Sequence, residues 1–159
     1  SQGAIKDGYK NGLWIVHHQN GQVASRTYWK NGNPNGPHEY FYPNGQLELR
    51  GFWKNTALHG IEESFFENGH LWTRREYENG ERTGFWIAFH SNGQLLSKGV
   101  HKNGLPDGIW VSYYYDGQLA YRGNYVSGKQ DGAWVAFFED GTVDERDTGT
   151  FENGVKGSD

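Results

Sequence analysis

The sequence predicts an all-β chain: a linear array of about six 24-residue β-hairpins forming one elongated, curved antiparallel sheet. Three observations carry this. Turn glycines fall at 21, 45, 69, 93, 117 and 141, and a second series falls at 12, 36, 60, 84, 108 and 132, every step being 24. Asn-Gly or Asp-Gly recurs between runs of β-formers, the strongest short signal for a hairpin. The chain holds 24 Gly and is 16% aromatic but only 35% hydrophobic. That balance argues against a helical bundle, and its aromatic content against disorder.

The units begin near residues 12, 36, 60, 84, 108 and 132, with a partial unit at 5–11, in a single domain spanning 1–159. Ile5-Lys6-Asp7-Gly8 aligns with Trp29-Lys30-Asn31-Gly32, and the last unit carries two extra residues around Asp147-Thr148. A fixed period of this length is the mark of a repeat architecture, in which neighbours supply the packing that one hairpin lacks.

Within a unit, Asn92-Gly93 is read as the two central residues of a type I′ turn. The register then sets His90 opposite Leu95, Phe89 opposite Leu96, Ala88 opposite Ser97, Ile87 opposite Lys98 and Trp86 opposite Gly99. Trp86, Ala88, His90, Leu95, Gly99 and His101 share one face; Ile87, Phe89, Leu96, Lys98 and Val100 share the other. Trp86 faces Gly99, and Trp110 faces Gly123, which predicts a ring lying over a strand glycine. In the third repeat both partners change, and Glu62 faces Arg75 as a cross-strand ion pair.

Gly108-Ile-Trp110 through Gly132 resembles a MORN repeat of the bacterial variant type. Gly108, Trp110, Tyr113, Tyr114, Asp116, Gly117, Leu119, Gly123, Tyr125 and Gly128 carry the resemblance. It extends from Ile5 to Gly157. The bacterial variant is associated with antitoxins and with immunity proteins that neutralise toxic effectors, including lipases delivered by type VI secretion. Eukaryotic arrays are associated with membranes and scaffolding. The resemblance therefore implies a cognate toxin or effector protein as partner and brings no catalytic motif. The bacterial periplasm is the compartment expected, with the cytoplasm as alternative.

Two repeats leave the pattern. The Trp column reads Trp14, His38, Glu62, Trp86, Trp110, Trp134, and Asn55-Thr56 stands where other units have Gly as the second residue, in most of them as Asn-Gly. A partner-binding patch is expected there, made of His38, Glu39, His59, Glu62, Glu63, Trp72 and Arg75. The alternative is drift without function. A second candidate is the basic column Arg26, Arg50, Arg74, Lys98, Arg122 and Arg146, with steps of about 10 Å. It is either a ladder for anionic lipid or an acidic partner, or a set of cations held by rings and by Glu39 and Glu63.

The remaining readings are exclusions. Net charge is −4, which gives no general pull toward nucleic acid. There is no Cys, hence no thiolate metal site, and the seven His are scattered, so neither metal nor cofactor is expected. No nucleophile with its base, phosphate loop or His-Glu-x-x-His appears, so the chain is not expected to be an enzyme. Lipid- or glycan-binding and scaffold roles stay as alternatives, and open sheet edges leave a homodimer available. The absence of Met, start included, suggests a processed or trimmed chain.

Overall fold

A computed structural model describes residues 2–158 and contains no helix among them. The chain divides into two compact units, residues 1–81 and 82–159. The first carries β1 (Gln2–Lys6), β2 (Tyr9–His17), β3 (Val23–Lys30), β4 (Asn33–Phe41), β5 (Leu47–Lys54), β6 (Ala57–Leu58), β7 (Gly60–Phe65) and β8 (Leu71–Glu78). The second carries β9 (Glu81–Phe89) apart from its first residue, β10 (Leu95–Lys102), β11 (Leu105–Pro106), β12 (Gly108–Tyr113), β13 (Leu119–Val126), β14 (Lys129–Ala136), β15 (Gly149–Glu152) and β16 (Val155–Lys156). Within each unit the strands pair antiparallel in chain order, except that short β6 and β11 lie off the path, on β5 and β10, which pair directly with β7 and β12.

The turn at Asn92-Gly93 differs from the type I′ turn that the sequence predicts there. At the tip of β9–β10, Gly93 N donates to His90 O (2.9 Å) and His90 N donates to Gln94 O (2.8 Å). Positive φ falls on Gly93 (84°) and not on Asn92. This is a three-residue loop, a turn followed by a left-handed glycine, with a bulge after it. The extra residue shifts the pairing, so Leu95 faces Phe89 while Ser97 still faces Ala88, Lys98 Ile87 and Gly99 Trp86. The type I′ turns lie at the other end of the hairpins, where Asn31-Gly32, Asn79-Gly80 and Asn103-Gly104 have both residues at positive φ.

The Asx-Gly turn recurs because its side chains join one hairpin to the next. Asn92 Oδ1 accepts from Gln94 N (3.0 Å) while its Nδ2 donates to Tyr115 O (3.0 Å). Asn20 makes the same pair of contacts to Gln22 N (3.0 Å) and Pro43 O (2.7 Å). Tyr42 and Tyr114 hydroxyls donate to Phe65 O (2.8 Å) and Phe137 O (2.7 Å), each 23 residues on.

One face of the sheet, here called inner, holds most of the buried side chains, among them Ala88, Trp110, Trp134 and Ala136. The sequence is right that a Trp covers a glycine, but the ring lies over the glycine of the preceding hairpin. A Cβ on Gly99 would come 2.1 Å from the Trp110 ring, and one on Gly123 would come 2.0 Å from Trp134. Trp110 Nε1 donates to Val100 O (3.2 Å) and Trp134 Nε1 to Asn124 O (3.0 Å), so each indole lies back across its neighbour strand. Trp86 and Trp110 stack at 5.2 Å, and Trp134 stacks on Tyr121 at 5.9 Å.

Candidate functional site

A sheet is opaque: alternate residues of a strand face opposite sides. The seven residues singled out in repeats two and three are split by that rule. His38 and Glu62 are inner and buried, at 2% and 7% exposure. Glu62 pairs with Arg75 at 3.4 Å, and Arg75 also donates to Thr73 Oγ1 (2.9 Å), which hydrogen-bonds Ser64 Oγ (2.5 Å). The expected ion pair is present, and it belongs to the packing. Gly51 lies beneath His38 and Glu62, where a Cβ would meet His38 Cε1 at 2.7 Å and Glu62 Cγ at 3.4 Å. Burial pushes the His38 imidazole pKa down, and its Nδ1 has no hydrogen-bond partner. His59 is half-buried between β6 and β7, its Nδ1 likewise unpartnered. Trp72 sits at the bulge of β8, exposed, with its ring 5.6 Å from Phe66.

Glu39 and Glu63 face outward, where they alternate with the basic column. Backbone register sets Glu39 opposite Arg50, but the carboxylate turns to Arg26 at 3.3 Å. Glu63 holds Arg50 at 2.6 Å and approaches Arg74 at 3.8 Å. Arg26 and Arg50 also lie over Phe41 and Phe65, at 5.1 and 5.6 Å from the ring centres. In the first unit the ladder is thus a row of alternating charge.

In the second unit the same row differs. Lys98 stands between Ile87 and Val111, and Arg122 between Val111 and Val135. Arg146 is taken up by Asp144 at 2.6 Å, and that hydrogen-bonded contact holds the Asp144 pKa down.

Beside the charged row of the first unit runs a feature that strand-by-strand reading missed. Leu13 pairs with Tyr28, and Pro37 pairs with Phe52. With Ile61 on the next strand they make an outward apolar row. Phe52 and Ile61 remain 42% and 41% exposed. Pro37, Phe52 and Ile61 line a shallow groove of about 480 Å³ together with Glu39, Arg50, Glu63 and Arg74. The groove is an apolar floor with ion pairs along one side. The signal was present in the sequence, but only across register, since no single strand carries more than two of these residues.

Geometry of this kind defines a β-hairpin repeat module with an open outer face. The family model described as "MORN repeat variant" matches residues 10–32, 34–55, 58–79, 82–103 and 106–127, and the chain belongs to that family. Among curated proteins no relative matches. One solved structure with some likeness is described as "Crystal structure of GtfA/B complex bound to UDP and GlcNAc". It shares 12% identity and a TM-score of 0.21, over 82% of this chain and 23% of that one.

Proposed function

We propose that the chain is a protein-binding module of the antitoxin or immunity class, acting by covering the working surface of a toxic effector. The seat of the partner is the outer groove of repeats two and three. One observation carries this reading: Pro37, Phe52 and Ile61 stay in the open beside the Arg26–Glu39–Arg50–Glu63–Arg74 row. An apolar centre with a charged rim is the arrangement that protein interfaces use. A secreted lipase met in the bacterial periplasm is the effector that the family resemblance suggests.

The test is co-purification from native lysate with wild type and with the double variant Phe52→Thr, Ile61→Thr. Threonine keeps the β preference and the inner face is untouched. A stoichiometric protein lost in the variant, with circular dichroism unchanged, supports the reading. A partner retained by the variant overturns the placement.

A second reading, contact with anionic membrane, is favoured by one feature of the second unit. Lys98 and Arg122 lie beside outward Phe85 and Ile109, which are 76% and 59% exposed. Vesicle sedimentation with and without phosphatidic acid, lost in Lys98→Gln, Arg122→Gln, would select it.

A further inference from the structure

A cavity of about 300 Å³ lies wholly within the second unit and outside the groove just described. Tyr121, Tyr125, Gln130, Asp144 and Asp147 give it its polar lining. Two departures from the repeat meet here. The column of position 121 reads Ser25, Leu49, Thr73 and Ser97 in earlier repeats, and only the fifth places a phenol there. The last hairpin also has its two extra residues here. They are wound into one tight turn, with Asp147 N and Thr148 N both donating to Asp144 O (3.2 and 2.9 Å). Thr148 Oγ1 pins the turn, accepting from Ala136 N (2.9 Å) and donating to Ala136 O (3.1 Å). The insertion therefore delivers Asp147 to the cavity on a fixed backbone.

The charge of the cavity is one-sided. Arg146 pairs directly with Asp144 at 2.6 Å and also lies near enough to Asp147 to interact with it, so two carboxylates against one guanidinium leave one net negative charge. Tyr125 has its phenol pKa raised, first by burial and then by the nearness of Tyr121 and Asp147. Added negative charge is thus unfavourable, and a cation relieves the repulsion. The available acceptors are two phenol oxygens, one carboxylate and one amide oxygen. They suit an ammonium with three N–H donors, while Ala120, Ala136 and Phe137 in the lining suit its alkyl stem. A hard metal ion would want about six oxygen ligands. The volume is at the small end of ligand cavities, which run from about 300 to 1,000 Å³.

We propose that this cavity binds a primary alkylammonium, the chemistry of a small aliphatic amine or of a lysine side chain. The chain would be titrated with n-butylammonium, with Nα-acetyl-lysine amide, with tetramethylammonium and with potassium, at constant ionic strength, and followed by NMR. Saturable shifts of Tyr121, Tyr125 and Asp147 with butylammonium are expected, and none with potassium. Tetramethylammonium has no N–H to donate and binds more weakly by roughly tenfold. Tyr121→Ser, which gives up the stacking on Trp134, and Asp147→Asn, which keeps it, each weaken butylammonium by roughly tenfold. Binding of the lysine amide as well as the free amine supports a lysine of a partner as the source; binding of the amine alone supports a small amine. Non-saturating shifts, equal binding of tetramethylammonium, or full binding in both variants with unchanged unfolding midpoints overturns the proposal.

Discussion

Gly123→Ala tests how the inner face is built. Its Cβ would lie 2.0 Å from Trp134 Cδ2, where carbon atoms in contact sit at about 3.5–4.0 Å. Trp134 is buried, stacked on Tyr121 and edge-on to Tyr125, with Nε1 donating to Asn124 O. The indole has to retreat by roughly 1.5 Å, which costs about 1–3 kcal/mol in forced packing and about 1 kcal/mol in the hydrogen bond. A loss of about 2–4 kcal/mol is expected in urea unfolding followed by circular dichroism. A double-mutant cycle identifies the ring responsible. With Trp134→Ala as background the alanine at 123 should cost less than about 0.5 kcal/mol, since Gly123 has no positive φ to protect. With Trp110→Ala as background the full penalty should persist, although Trp110 is the direct backbone partner of Gly123. A penalty that vanishes with Trp110 instead, or one of equal size in all three backgrounds, would refute the packing described.

Thr56→Gly should stabilise by about 1 kcal/mol, because Thr56 holds φ at 68° with a branched side chain; the shift in urea midpoint reads it. Glu62→Ala should destabilise by about 3 kcal/mol, since it leaves the largely buried Arg75 without its carboxylate, and thermal unfolding measures it. Burial lowers the imidazole pKa at both His38 and His101, with Arg82 adding to the effect at His101. The unfolded chain then binds more protons just below its own pKa of about 6.5, so stability is full above that pH and falls as acid is added toward the folded values. His38→Phe with His101→Tyr should flatten the unfolding midpoint between about pH 5 and 7.

The period, the hairpins and the two faces were legible because each rests on local chemistry repeated six times. The turn type was not, because Asn-Gly serves both ends of the hairpin. At 92–93 the Asn side chain caps Gln94 N and needs no left-handed φ; at 103–104 both residues take it. The glycine beneath each Trp was misplaced for another reason. Backbone pairing names the residue across the ladder, while the indole leans over the strand on its other side, as Trp110 does toward Gly99. The candidate patch was gathered by repeat number, and sheet parity then sent Glu62 and Glu63 to opposite faces. Repeats two and three depart from the other units on both faces together. The outer positions 15, 39, 63, 87, 111 and 135 read Ile, Glu, Glu, Ile, Val and Val.

That substitution of carboxylates has an electrostatic consequence that separates the two proposed surfaces. Arg26, Arg50 and Arg74 against Glu39 and Glu63 leave 3 − 2 = +1 along the groove of the first unit. In the second unit Lys98 and Arg122 present +2 with only Ile87, Val111 and Val135 between and beside them. A partner seated on the first groove is held mainly by Phe52 and Ile61, so raising salt from about 0.05 to 0.5 M should change its affinity less than about threefold. A partner or membrane held by the second unit should lose roughly tenfold or more over the same range, as screening weakens two cations that enter no ion pair among the described residues. Salt titration of the wild-type complex, repeated with Lys98→Gln, Arg122→Gln, reads the difference directly. A steep salt dependence that the double glutamine variant abolishes would place the working surface on the second unit and refute the groove.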